Sequence, residues 1–359
     1  MSLVHTDCRW RVLAHSQRGA SHLRQNVPNQ DAIAHSEASD GSPSVVLAVA
    51  DGHGSAKSFR SDVGARLAVD TAVEVCRTFL DSIRGVEPSV VKNQAEVRIA
   101  PRIFQEWRWR VDEHFQQNPF TEAELTRLAE QAGAAACDRA ARPDQLYVAY
   151  GSTLLVAALT NEFLICFQLG DGDILAVSDS TGEVSRVIPK DETLIANETT
   201  SLCQADAVGH VRFRFQWIQD SPLEMLLLST DGYCNSFASP DAFLKTGNDY
   251  LDALRTEGPE EVEKNLPAWL EETSQNGSGD DITVGIIYRR EMPGERPQPE
   301  ADSCSDERPT TDATREDEES EKMPPPIANE PPNECSADSA GWFHGLLRLL
   351  CGKGRRAAS

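Results

Sequence analysis

Residues 44–54 read SVVLAVADGHG. A strand with one wet face alternates apolar and polar side chains, but Val45 to Ala50 are apolar or small without a break. The run therefore predicts a fully buried strand that ends on Asp51 and on an imidazole, His53, held between glycines. Two other apolar runs end in the same way, LICFQLGDG at 164–172 and MLLLSTDG at 225–232, and GSGDDITVGII at 277–287 opens with a pair of aspartates. A lone Asp-Gly pair is a favoured turn and carries little information. Four strand ends with aspartate, and no Lys or Arg between Ala48 and Ser55 or between Leu223 and Asn235, describe a cluster of oxygen donors. Carboxylates crowded in this way bind cations or take up protons. Hard divalent ions such as Mn²⁺ or Mg²⁺ suit oxygen donors, whereas no His/Cys cluster has the spacing of a zinc site.

Bulk properties narrow the class further. At 359 residues the chain can build one large or two small domains with real cores. Its formal charge of −23 argues against a nucleic-acid or anionic-membrane surface, because phosphates attract Lys and Arg. The nine cysteines contain no C-x-x-C pair and several lie in apolar runs, which predicts reduced, core-type thiols in a cytoplasmic protein. No apolar h-region opens the sequence, and no run approaches the roughly 18 apolar residues of a membrane span.

Composition changes near residue 290. Residues 291–359 hold 15 acidic and 8 basic side chains and 9 of the 20 prolines, too little apolar surface to offset the entropy of ordering. The expected organisation is a domain over 1–290, a disordered Pro-rich acidic linker over 291–340, and an apolar-basic segment over 341–359. That last segment, with GWFHGLLRLLCGKGRR, is expected to dock on a partner or on its own domain. Within the domain, strand-like runs fall at 44–50, 152–159, 162–169, 173–179, 210–218, 223–229 and 281–288. Helical periodicity covers the segment from Val63 to Leu80 and residues 95–117, 240–255 and 259–275, and Thr121 with Glu124 forms a capping-box pair. Short turns between the later strands favour antiparallel pairing, so the fold class is α+β. Trp107 and Trp109 sit at helical spacing in FQEWRWRVDEHF, and both read as helix-packing residues rather than base-stacking ones.

Six motifs then occur in a telling order: NQD at 29–31, DGHG at 51–54, GST at 151–153, LGDGD at 169–173, LLLSTDG at 226–232 and GSGDDIT at 277–283. Over roughly residues 10–290 the chain resembles the metal-dependent Ser/Thr protein phosphatases of the PPM (type 2C) family, in their bacterial form. The resemblance implies an α-β-β-α sandwich, two packed antiparallel sheets flanked by helices, with a two-metal site at one end. It implies that Asp51 bridges two Mn²⁺ or Mg²⁺ ions, that Gly52 offers its carbonyl to one, and that Asp231 and Asp280 ligate the other. Asp31 would support the ions from behind, and Asp171 would help hold a weak third ion. A water between the two ions would attack phosphorus directly, and His53 would protonate the leaving serine or threonine oxygen. The implied partners are a phosphorylated protein substrate and a Ser/Thr kinase.

Three positions depart from the family pattern. Gln30 stands where many members carry Glu, and Asn26 stands where they carry a phosphate-binding Arg, leaving Arg24 or Arg18 as substitutes. Asn235 replaces an aspartate, which is why the third ion is expected to be weak. The first two departures favour an alternative, a catalytically weak pseudophosphatase that binds a phosphoprotein or a kinase. Retention of Asp51, His53, Asp231 and Asp280 favours the enzyme.

Overall fold

The computed structural model describes residues 10–37, 44–140, 142–178, 182–190, 199–220 and 223–290. The expectations for the linker 291–340 and the segment 341–359 lie outside these residues. In chain order the strands are β1 (Trp10–Gln17), β2 (Ala32–Ser36), β3 (Ser44–Ala50), β4 (Leu154–Thr160), β5 (Phe163–Leu169), β6 (Asp173–Ser178), β7 (Val184–Arg186), β8 (Arg212–Trp217), β9 (Leu223–Ser229) and β10 (Ile282–Arg289). The helices are α1 (Ala20–Gln25), α2 (Ser61–Ser82), α3 (Pro88–Gln117), α4 (Glu122–Ala132), α5 (Ala134–Ala140), α6 (Ala207–His210), α7 (Asp231–Cys234), α8 (Pro240–Thr256) and α9 (Pro259–Asn276), with a 3₁₀ stretch at Pro143–Tyr150.

Two five-stranded sheets result, ordered β1-β10-β9-β6-β7 and β2-β3-β4-β5-β8. Every pairing is antiparallel. Helices α8 and α9 lie against the first sheet, and α2 lies against the second with α3 beside it. The fold is thus the α+β sandwich expected from the sequence.

Strand β3 shows why its sequence does not alternate. Val45, Leu47 and Val49 join the core between the two sheets. Val46, Ala48 and Ala50 join the core beneath α2, together with Ala65, Ala68, Val69 and Ala72. Both faces are dry, and no residue from Val45 to Ala50 is more than 1% exposed. Each such valine or leucine contributes about 1.5–3 kcal/mol by leaving water. Alanines on the helix-facing side let α2 approach closely.

On α3 the two tryptophans part company. Trp107 is fully buried and its Nε1–H donates to Gly64 O at 3.0 Å, while Trp109 is 57% exposed. Two residues on a helix lie about 200° apart, so one face cannot bury both. The expectation that Trp109 packs inward is therefore corrected. The capping box at Thr121 forms as expected, with Glu124 reciprocating. Cys76, Cys137, Cys166, Cys203 and Cys234 are free thiols, and Cys76 and Cys166 are buried. Among the described residues no helix is long and apolar enough to cross a membrane.

Candidate active site

Strand register brings the aspartates together. In the antiparallel pair β2/β3, Ala32 faces Ala50, so Asp31 just before β2 and Asp51 just after β3 share one end of the sheet. In β9/β10, Val284 faces Ser229, so Asp231 and Asp280 meet in the same way. Asp173 also faces Ser229, which carries the Asp171 loop to that end. Electrostatic coupling records the convergence. The Asp51 carboxyl is held well above the usual carboxylate range by burial, then by Asp31, Asp231 and Asp280. Burial and Asp171 raise Asp231, which shares a side-chain hydrogen bond with Asp51. Burial and the nearby Asp281 raise Asp31.

The DGHG turn is laced to GST. The Asp51 N–H donates to Thr153 Oγ1 at 2.9 Å, and the Thr153 N–H returns a bond to Asp51 O at 2.8 Å. Gly52 forms an isolated antiparallel bridge with Ser152, and the His53 N–H donates to Gly151 O at 3.0 Å. A Cβ on Gly151 would come within 2.6 Å of His53 Cδ2, so glycine is what lets the imidazole lie there. A Cβ on Gly52 would meet the carbonyl oxygens of Gln30 and Ser61 at 2.6 Å. Ser152 is buried and its hydroxyl donates to Thr153 O at 2.8 Å, a scaffold bond rather than a nucleophile's geometry. Burial pulls the half-buried His53 imidazole below its ordinary value, partly opposed by the Asp171 charge.

Neutral donors orient the carboxylates. Asp31 Oδ2 accepts from Thr230 Oγ1 and Thr283 Oγ1, both at 2.8 Å. Asp171 Oδ1 accepts from Thr199 Oγ1 at 3.0 Å. Asp231 Oδ2 accepts from Asn235 Nδ2 at 3.0 Å, so Asn235 faces this aspartate as a donor. Gln30 braces the turn, its Nε2 donating to Ser61 Oγ at 2.7 Å and to His53 O at 3.4 Å. Lys190 Nζ lies 3.2 Å from Asp173 Oδ2 and donates to Asp171 O at 3.3 Å, and Arg186 Nε donates to Asp173 Oδ1 at 2.5 Å. Both cations pair with the Asp173 carboxylate, and Lys190 meets Asp171 through its backbone carbonyl only.

Sequence reasoning named Asp280 but gave no part to its neighbour. Asp281 is 3% exposed and accepts the Gly19 N–H at 2.6 Å and the Gln30 N–H at 2.7 Å. The doubled aspartate of GSGDDIT was the available signal, and only the fold reveals the second one's partners. Asn26, at the position expected to carry a phosphate-binding Arg, closes α1 in the left-handed region at φ 55°, a conformation that suits Asn and strains Arg. Arg18 Nη2 donates to His22 O at 3.2 Å, while exposed Arg24 extends its guanidinium towards Gly279.

Among the described residues no three His, Cys, Asp or Glu side chains are already arranged to hold a metal ion. The donor chemistry nevertheless fits a hard cation. The converging groups are carboxylates beside a glycine turn, and the Asp51–Asp231 bond needs a proton between two acids that a cation would replace.

A model of the protein phosphatase 2C family matches residues 18–271, and the chain belongs to that family. No curated protein matches the sequence. Similar solved structures include the serine/threonine phosphatase PstP/Ppp of Mycobacterium tuberculosis, at 13% identity over 79% of this chain and 99% of that one, with a TM-score of 0.45. The S. agalactiae serine/threonine phosphatase is 16% identical over 78% of this chain and 100% of that one, with a TM-score of 0.47. The catalytic domain of PstP in complex with 2 manganese ions is 16% identical over 79% of this chain and 99% of that one, with a TM-score of 0.43.

Proposed function

We propose that the chain is a metal-dependent protein phosphatase that hydrolyses phosphoserine and phosphothreonine. One observation carries this reading: Asp51, Asp231 and Asp280 converge from separate strand ends, and among the described residues no Lys or Arg forms an ion pair with any of them. Such a set keeps its negative charge available for cations. Asp51, the backbone of Gly52, Asp231 and Asp280 would hold Mn²⁺ or Mg²⁺, with Asp31 behind them and Asp171 at the margin. Bound there, divalent ions supply charge stabilisation for phosphoryl transfer and lower the pKa of water.

The chain's own residues account for the remaining chemistry. His53, held by Gly151 and Gln30, would deliver a proton to the leaving alkoxide. A lowered imidazole pKa makes His53⁺ a stronger acid for that step, at the expense of the fraction protonated near neutrality. Exposed Arg24, beside Gly279, would meet a substrate phosphate.

The test is hydrolysis of a phosphothreonine peptide by the full chain with Mn²⁺, repeated with a chelator and with Asp51→Asn. The expected result is turnover in the first case only, with Asp51→Asn still folded. Tight phosphopeptide binding without turnover in any condition would instead support the pseudophosphatase reading.

A further inference from the structure

His22 belongs to no motif, yet it sits against the two aspartates that open β10. Its Nδ1 lies 2.9 Å from Asp281 Oδ1, off the line of a straight hydrogen bond, and its Nε2 lies 3.7 Å from Asp280 Oδ1. The imidazole is 16% exposed. Among the described residues no other His, Lys or Arg forms an ion pair with either aspartate.

The position of that ring is built rather than incidental. Helix α1 is docked on the segment before β10 through several bonds. The Ala20 N–H donates to Ser274 Oγ at 3.0 Å, and Ser274 Oγ donates to Asp280 O at 2.8 Å. The Ser21 N–H and hydroxyl both donate to Gly279 O, at 2.8 and 2.5 Å. Asp281 in turn grips the two ends of the α1 loop, through the Gly19 and Gln30 N–H groups. His22 is thus held inside a closed loop whose two ends are tied to the aspartate that its ring faces.

The contacts on Asp280 are selective. Oδ1 accepts the Asp281 N–H at 2.9 Å and is the oxygen that faces His22. The Asp280 side chain is 54% exposed, and these contacts hold Oδ1 alone. We infer that His22 is a positioning residue: it braces the Asp280–Asp281 pair so that Asp280 presents one oxygen to a divalent cation. This rests on the proposed reading of the site as a cation site. Residues behind a metal ligand fix its orientation, and their loss typically weakens metal binding by about 10–100-fold.

The experiment titrates Mn²⁺ into metal-free full-length protein by calorimetry, without substrate, for wild type, His22→Ala and His22→Asn. Thermal melts of the same metal-free proteins accompany each titration. His22→Ala is expected to weaken Mn²⁺ binding about 10–100-fold. His22→Asn, whose amide can still donate towards Asp281, is expected to recover most of the loss. Wild-type affinity in His22→Ala would overturn the inference, whatever its melting temperature. Equal loss of affinity in both variants, following equal loss of melting temperature, would reduce His22 to a structural role and also overturn it. A wild-type protein that binds no Mn²⁺ would remove the cation site itself, an outcome visible before any variant is compared.

Discussion

Glu124→Gln removes one charge from a knot that backs the His53 turn. Arg60, 7% exposed at the start of α2, uses every N–H direction of its guanidinium. Nε and Nη2 reach the two oxygens of Glu124 at 2.7 and 2.9 Å, Nη1 reaches Asn118 O at 2.6 Å and the Tyr150 hydroxyl at 2.8 Å, and Nη2 also reaches Pro119 O at 3.0 Å. The Arg60 N–H donates to Ala149 O, so the knot fixes the strand of chain that delivers Gly151 to His53. The Arg60 hydrogen bond is the main reason that Glu124 falls from 4.5 to about 2, with the Thr121 cap adding to it. At about 1.4 kcal/mol per pH unit that gap corresponds to about 3 kcal/mol. Glu124 is 26% exposed, and solvent screening brings the expected value nearer 2 kcal/mol. A depressed folded value means that this stabilisation is complete above pH 4.5 and is lost as pH falls from there to about 2. Gln retains the capping box but cannot titrate. Urea unfolding of wild type and Glu124→Gln at pH 7, 5, 4 and 3 measures the difference directly. It should be about 2 kcal/mol at pH 7 and shrink steadily in acid. A difference that stays constant across that range would refute the assignment of the stabilisation to the Glu124 charge.

Three further outcomes follow from the same geometry. His53→Ala should lower kcat on a phosphoserine peptide by about 10²-fold or more and lower it less on an aryl phosphate, whose leaving group needs less protonation; equal losses would remove His53 from proton transfer. Gly151→Ala places a methyl within 2.6 Å of His53 Cδ2, so it should show the same leaving-group bias with KM nearly unchanged; kinetics like wild type would show that the ring has room to move. Asn235→Asp exchanges a bond to Asp231 for a like-charge contact, and metal-free protein should lose about 1 kcal/mol that Mn²⁺ restores; melting curves unchanged by the substitution, with and without Mn²⁺, would contradict this.

The sequence made some elements plain and concealed others for physical reasons. Strands β3 and β9 match the expected runs at 44–50 and 223–229 residue for residue, because Val45–Ala50 and Met225–Leu228 are apolar and buried without a break. Strand β1 went unseen because WRVLAHSQ is an edge strand, mostly half-buried, whose polar residues blur any period. β2 and β7 are short, and α3 starts at Pro88, ahead of the expected 95, since proline is favoured at a first turn although it looks like a breaker. The site divides similarly. Asp31, Asp51, Asp171, Asp231 and Asp280 were legible because each stands at a strand end next to Gly or within a recognisable motif. His22 and the partners of Asp281 were not, because the bonds from Gly19 and Gln30 close over 262 and 251 residues of chain.

The supports of the site explain why it is built from hydroxyls. A buried carboxylate needs partners, and a guanidinium or ammonium would provide both hydrogen bonds and charge. Arg186 and Lys190 do this for Asp173, which is thereby taken out of competition for cations. Thr230 and Thr283 on Asp31, Thr199 on Asp171 and Asn235 on Asp231 supply hydrogen bonds alone. They fix where each oxygen points without cancelling its charge, and burial, with the mutual repulsion that remains, raises Asp31, Asp51 and Asp231. Folding holds that repulsion in place because the aspartates terminate strands whose register is set by the core, as in the Ala32–Ala50 and Val284–Ser229 pairs. A ligand that binds only the folded state then adds to its stability, so a cation that relieves the repulsion should both raise the melting temperature and shift these acids back towards ordinary values. On the proposed reading, cation affinity and local instability have the same source: negative charge that the protein orients but leaves uncompensated.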